Sequence, residues 1–186
     1  MLYLASNSPR RRELLAGLDI EFEVKVLPGI DESYPDMLPA AAVPQFLAEK
    51  KAQGHRSILS DDTSIVITAD TVVICDGSVL GKPRDAYEAR QMLRMLSGKT
   101  HEVITGVCLM STTKQKAFSV STTVEFAPLS DDEINYYIER YRPYDKAGSY
   151  GIQEWIGYVG VRGISGSFYN VMGLPIQRLY EEMKNF

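Results

Sequence analysis

Apolar and polar positions alternate between two periods along this chain. Residues 2–5 form a short apolar run, the mark of a buried strand, and the polar turn Ser6-Asn7-Ser8 follows it. Behind Pro9, Leu14, Leu15 and Leu18 recur at helical spacing, with Ser8 as a natural N-cap and Gly17 and Asp19 where the helix can end. Residues 22–27 alternate as a strand, residues 28–39 (PGIDESYPDMLP) read as an acidic, proline-rich loop, and residues 40–54 as a helix with Lys50 and Lys51 near its end. Residues 64–75 (SIVITADTVVIC) are nearly all β-branched and apolar, as in a central strand buried on both faces, and Asp70 is the one charge within them.

The second half keeps this alternation. Asp76-Gly77 marks a tight turn, a capping box of Asp85 with Glu88 opens a helix to Leu96, and residues 102–110 and 117–126 read as longer strands. A second box, Ser130 with Glu133, opens a tyrosine-rich helix to Tyr141. Residues 143–173 are rich in glycine and aromatics without a clear period and are expected to fold as loops and short strands around a site, before a last helix over 175–183. Strands and helices in turn predict an α/β domain with a mixed β-sheet flanked by helices, and no internal repeat interrupts it.

The 186 residues suit one compact domain, 1–186, or two small lobes sharing a core, better than two independent folding units. A net charge of −4 argues against a nucleic acid polymer as partner, yet permits a small phosphorylated ligand if a few basic residues share one place. The basic cluster at residues 10–12 follows a short apolar run, the reverse of a secretory signal, and no apolar stretch is long enough to span a membrane. A cytoplasmic protein is therefore expected. Cys75 and Cys108 each sit in apolar, strand-like sequence and are expected to be buried reduced thiols.

Several chemistries are poorly supported. There is no GxxxxGK[ST] or GxGxxG segment, and with only His55 and His101 and no CxxC, neither a zinc site nor a histidine-based triad has support. Carboxylates, lysines and arginines remain. Asp70, charged within a dry strand, must be paired, metal-bound or at a strand end facing a cleft. Thr71 would point the other way in an unbroken strand; a bend there would bring both side chains to one ligand.

Arg10, Arg11 and Arg12 crowd the first turn of a helix whose dipole is already positive at that end. That conflict favours an anion bound at the Ser6–Arg11 turn over a capped helix with solvated arginines. Lys82, between Gly81 and Pro83, is a cation on a stiff loop, and Lys51 alone is a weaker signal. Glu32 could join Asp70 in holding a hard divalent cation through oxygen.

Taken together, LYLASNSPRRRELL, ADTVV, GKPRD, THEVITGV, DKAGSYGIQ and NVMGLP resemble the Maf family of nucleoside triphosphate pyrophosphatases, from Leu2 to about Tyr180. The DKAGSYGIQ segment is similar to the subgroup acting on dTTP and UTP. The resemblance implies an elongated mixed sheet with two lobes around a deep cleft, as in inosine triphosphate pyrophosphatases. It also implies hydrolysis of a nucleoside triphosphate to monophosphate and pyrophosphate with a divalent metal, Mg²⁺ or Mn²⁺, and a homodimer. It puts Asp70 in the general-base position and Ser8, Arg10 and Arg11 on the triphosphate. Glu32, Lys51 and Lys82 match charged active-site positions, with Asp31 the rival to Glu32 in a loosely matching loop. Arg10, Thr71 and Gln153 match positions associated with base selection. A nucleotide-binding regulator of cell division with little turnover is the alternative from another class.

Overall fold

A computed structural model describes residues 1–186. Its centre is a mixed sheet of seven strands: β1 (Leu2–Leu4), β2 (Glu23–Val24), β3 (Ile65–Cys75), β4 (Ser78–Leu80), β5 (Thr100–Met110), β6 (Gln115–Phe126) and β7 (Val161–Ser165). The order is β2-β1-β3-β5-β6-β7, with β4 paired to β3. β1 runs parallel to β2 and β3, whereas β4 is antiparallel to β3 and β7 to β6. The helices are α1 (Pro9–Ala16), α2 (Val43–Gly54), α3 (Ala86–Leu96), α4 (Asp131–Tyr141), α5 (Trp155–Gly160), α6 (Phe168–Met172) and α7 (Ile176–Lys184). None is long and apolar enough to cross a membrane.

The chain divides into two compact units. The first comprises Met1–Thr71, Thr105–Val120 and Gly173–Phe186; the second comprises Val72–Ile104 and Ser121–Met172. In the first, Val43, Leu47, Ala48 and Ala52 recur on one side of α2 and are buried. Ala48 and Ala52 pack with Tyr3, Val66, Cys108 and Met110 in one apolar cluster. Small residues on α2 allow a close approach, and β5 matches them at Gly106, where a Cβ would lie 2.3 Å from Gln45 N. In the second unit, Phe126, Tyr150 and the buried His101 pack edge to face, with centroid separations of 4.8 to 5.4 Å.

Most expected elements form, with instructive differences. The strand expected over 22–27 shrinks to Glu23–Val24, because it pairs only with the three-residue β1 and both its residues stay exposed. Residues 143–173 hold two helices besides loops and β7. The glycine content hides α5, yet Gly157 is required there, since a Cβ would collide with the carbonyl oxygen of Ile152. The Ser130–Glu133 box forms in full. In the other, Asp85 caps the Glu88 amide while Glu88 reaches back one residue further, to Arg84 N. Asp76 and Gly77 both adopt left-handed backbone, φ 49° and 77°, as the tight turn requires. Both cysteines are free and buried, and burial pushes the Cys108 thiol up to about 12.

Candidate active site

Asp70 lies inside β3, which continues to Cys75, so the strand does not end at this carboxylate. Lys51, in the last turn of α2, reaches it: Nζ donates to Asp70 Oδ1 at 2.7 Å and lies 3.2 Å from Glu32 Oε2. The Lys51 and Asp70 side chains are each 15% exposed and Glu32 61%, so this knot is closed on the protein side and open towards Glu32. Asp70 Oδ2 accepts no hydrogen bond from the protein. Asp31 turns elsewhere, accepting from Lys50 Nζ at 2.6 Å and from Ser33.

Several contacts fix this geometry. Thr68 Oγ1 donates to Ala48 O at 2.6 Å and ties α2 to β3. His55, just past the helix, accepts from Leu27 N–H at Nε2, 3.0 Å away; its Nδ1, 2.7 Å from Lys51 O, is then the donor to that carbonyl. One imidazole thereby finishes the helix that carries Lys51 and anchors the start of the loop that carries Glu32.

Thr71 follows Asp70 in the same strand, where alternation points successive side chains to opposite faces. Thr71 Oγ1 accepts from Arg11 Nη2 at 3.0 Å and lies 2.9 Å from Thr105 Oγ1. Arg11 also donates from Nε to Gly173 O at 2.7 Å and from Nη1 to Ala69 O at 2.9 Å and Ser6 Oγ at 3.4 Å. The conflict between a first-turn arginine and the helix dipole is thus relieved for Arg11 by oxygens of the chain itself. Burial lowers the affinity of Arg11 for its proton, and the charges of Asp70 and Glu32 oppose that shift. Ser8 caps α1, its Oγ accepting from Arg11 N at 3.4 Å, which leaves its hydroxyl proton to donate elsewhere. Arg10 is half-buried in the same turn.

The first unit therefore holds Ser8, Arg10, Arg11, Glu32, Lys51, Asp70 and Thr71. Lys82 and Gln153 belong to the second. Lys82 is exposed on a loop held where Gly148 N donates to Gly81 O at 3.1 Å. Gln153 sits in a turn closed by Glu154 N–H on Gly151 O at 3.0 Å, and its Oε1 is buried without a partner.

No group of three or more histidine, cysteine, aspartate or glutamate side chains is placed to hold a metal ion. Glu32 and Asp70 do converge on one cationic nitrogen, and two carboxylates fit the share of a Mg²⁺ shell that a protein commonly supplies when phosphates and water complete it.

A sequence model of the family described as "Maf-like protein" matches residues 1–186. The chain belongs to the Maf-like family. Among its relatives, a protein of Phocaeicola vulgatus named dTTP/UTP pyrophosphatase is 62% identical, over 98% of this chain and 94% of its own. One of Porphyromonas gingivalis with the same name is 59% identical, over 100% and 94%. The Staphylococcus aureus Ham1 protein is similar over 68% of this chain and 71% of its own, with TM-score 0.49 and 13% identity, too slight a likeness to bear on the fold.

In this Maf-like chain four structural contributors lie outside the candidate set. His55, Thr105, Gly173 and Tyr137 act through backbone groups or second partners, and single residues of those types carry no sequence signal. The NVMGLP and THEVITGV motifs, which contain Gly173 and Thr105, hinted at two of them.

Proposed function

We propose that the chain hydrolyses dTTP and UTP to the nucleoside monophosphate and pyrophosphate. The observation that carries this reading is the Lys51–Asp70–Glu32 knot, in a Maf-like chain whose relatives bear the name dTTP/UTP pyrophosphatase over nearly their whole length.

Hydrolysis at the α–β bridge needs a group that orients water and takes its proton, and positive charge for the phosphate oxygens. Asp70 supplies the first through Oδ2, while Lys51 holds Oδ1 and so fixes the plane of the carboxylate. The water oxygen bonds to a phosphorus flanking the bridge, its proton passes to Asp70, and the bridging bond breaks to release pyrophosphate. Ser8 and Arg10 bind phosphate oxygens. Arg11, with one Nη2 hydrogen left over, adds charge from a fixed position. Lys82 is assigned to the phosphates on the GKPRD motif. Asp70 and Glu32 would hold Mg²⁺ or Mn²⁺, which neutralises phosphate charge when bound. Gln153 offers its buried, unpartnered Oε1 to the N3–H that uracil and thymine share and cytosine lacks.

The test is a panel of dTTP, UTP, CTP and GTP with Mg²⁺ or Mn²⁺, separating pyrophosphate from orthophosphate. Pyrophosphate and monophosphate from dTTP and UTP are expected, with CTP at least about tenfold slower. Orthophosphate as the first product, or saturable binding of dTTP without turnover, overturns the reading.

A further inference from the structure

A glutamine amide can rotate to pair with either uracil or cytosine, so Gln153 discriminates between them only where something holds it. Its turn is pinned at both ends by one hydroxyl. Tyr137 Oη accepts from Gly151 N–H at 2.9 Å and donates to Glu154 Oε2, so the residues flanking Ile152-Gln153 share a single anchor. Glu154 Oε1 lies 3.2 Å from Lys146 Nζ, which also donates to Asp145 Oδ1 at 2.9 Å. The packing is close enough that a Cβ on Gly151 would lie 2.9 Å from Lys146 Cε and 3.0 Å from Glu154 Cδ. The Tyr137 ring is fully buried and stacks on Tyr141, with centroids 5.1 Å apart and planes at 24°.

We infer that Tyr137 is a positioning residue for base choice, holding the 151–154 turn so that the unpartnered Gln153 Oε1 meets a ring N–H donor and rejects a ring nitrogen acceptor. The substrate class rests on the reading above; the positioning rests on the turn. Burial and Glu154 both keep the Tyr137 hydroxyl protonated, so it remains the donor that this arrangement requires.

The test is Tyr137→Phe in the full chain, which keeps the ring and removes the anchor. UTP and CTP turnover is measured alongside equilibrium binding of UMP and CMP, which needs no hydrolysis. Expected is a fall of about tenfold in the UTP-to-CTP ratio of kcat/KM, carried by KM, with the same fall in the UMP-to-CMP binding ratio, equivalent to one lost hydrogen bond of fixed geometry. In a Gln153→Ala background the substitution should leave both ratios unchanged, because the effect runs through that amide. Glu154→Gln, which retains an acceptor for Tyr137, should keep most of the preference, and Glu154→Ala should lose it.

A folded Tyr137→Phe protein with ratios within twofold of wild type overturns the inference, as does a further fall in the Gln153→Ala background. If Tyr137→Phe does not fold, the contrast between Glu154→Gln and Glu154→Ala decides, and equal ratios in the two overturn it. Wild type that prefers UMP over CMP without releasing pyrophosphate from UTP would break the hydrolysis reading and leave this inference standing.

Discussion

Lys51 stands 2.7 Å from Asp70 and 3.2 Å from Glu32; Lys146 stands 2.9 Å from Asp145 and 3.2 Å from Glu154. In each knot one carboxylate is largely buried and the other largely exposed. They differ in what happens to the buried carboxylate's second oxygen. Tyr137 takes that oxygen of Glu154, and Gly151 N–H takes the tyrosine in turn, so Glu154 is used up holding the chain in place. Asp70 keeps Oδ2 unclaimed. An ion pair turns from scaffold to candidate chemistry by withholding a single hydrogen bond, and charge count alone does not separate the two.

The largest effect should break the symmetry outright. Asp70→Asn keeps the shape and an acceptor for Lys51 but cannot take a proton, and is expected to lower pyrophosphate release by about a thousandfold with an unchanged circular dichroism spectrum. A fall below tenfold would remove Asp70 from the base role.

Acid should act on the scaffold side. Burial holds His101 down to about 4, against an ordinary histidine value of 6.5. Between those values the unfolded chain binds a proton there that the folded chain refuses. Stability should therefore fall as pH drops from 6.5 towards 4, by about 3 kcal/mol from this group. Urea melts of wild type and His101→Gln across that range check it: the variant should have the flatter profile.

The two lysines should part company next. Lys146→Met leaves Glu154 without its counter-charge and is expected to cost about 2 kcal/mol, discounted because Asp145 is largely solvated, which lowers Tm by roughly 4–8 °C. Lys51→Met likewise leaves a largely buried carboxylate, Asp70, without its counter-charge and should cost a similar amount, but it should also reduce turnover by about a hundredfold. Equal turnover losses in the two would erase the distinction.

The smallest effect concerns Glu32. Being mostly exposed, Glu32→Gln should leave Tm unchanged and raise the Mg²⁺ concentration needed for half-maximal activity by about tenfold. EDTA should abolish turnover in both proteins, with Mg²⁺ or Mn²⁺ restoring it; activity surviving EDTA would remove the metal from the proposal.

Much of this was legible in the chain. The Ser8 cap, the long strand through Asp70 and the Ser130–Glu133 box are local features, each specified by neighbours within a few residues. Asp70 and Arg11 stood out because each breaks a local rule, a charge in an apolar strand and a cation at a helix start. What was not legible depends on partners far apart in sequence. The imidazole of His55 serves a backbone carbonyl and a backbone amide, and such groups have no letter in a sequence. Tyr137 read as one of several tyrosines on a helix, with nothing to single out its hydroxyl. Asp31 and Glu32 are equally plausible partners on paper and separate only once Lys50 and Lys51 point to different sides of α2.

Arg11, tied to Gly173, Ala69, Ser6 and Thr71, has a consequence for nucleotide entry. A side chain already immobilised by its own protein has little rotational freedom left to lose when an anion arrives. In the free protein its Nε proton should give a resolved, slowly exchanging NMR signal, and titration with dTTP should shift that signal without first having to sharpen it.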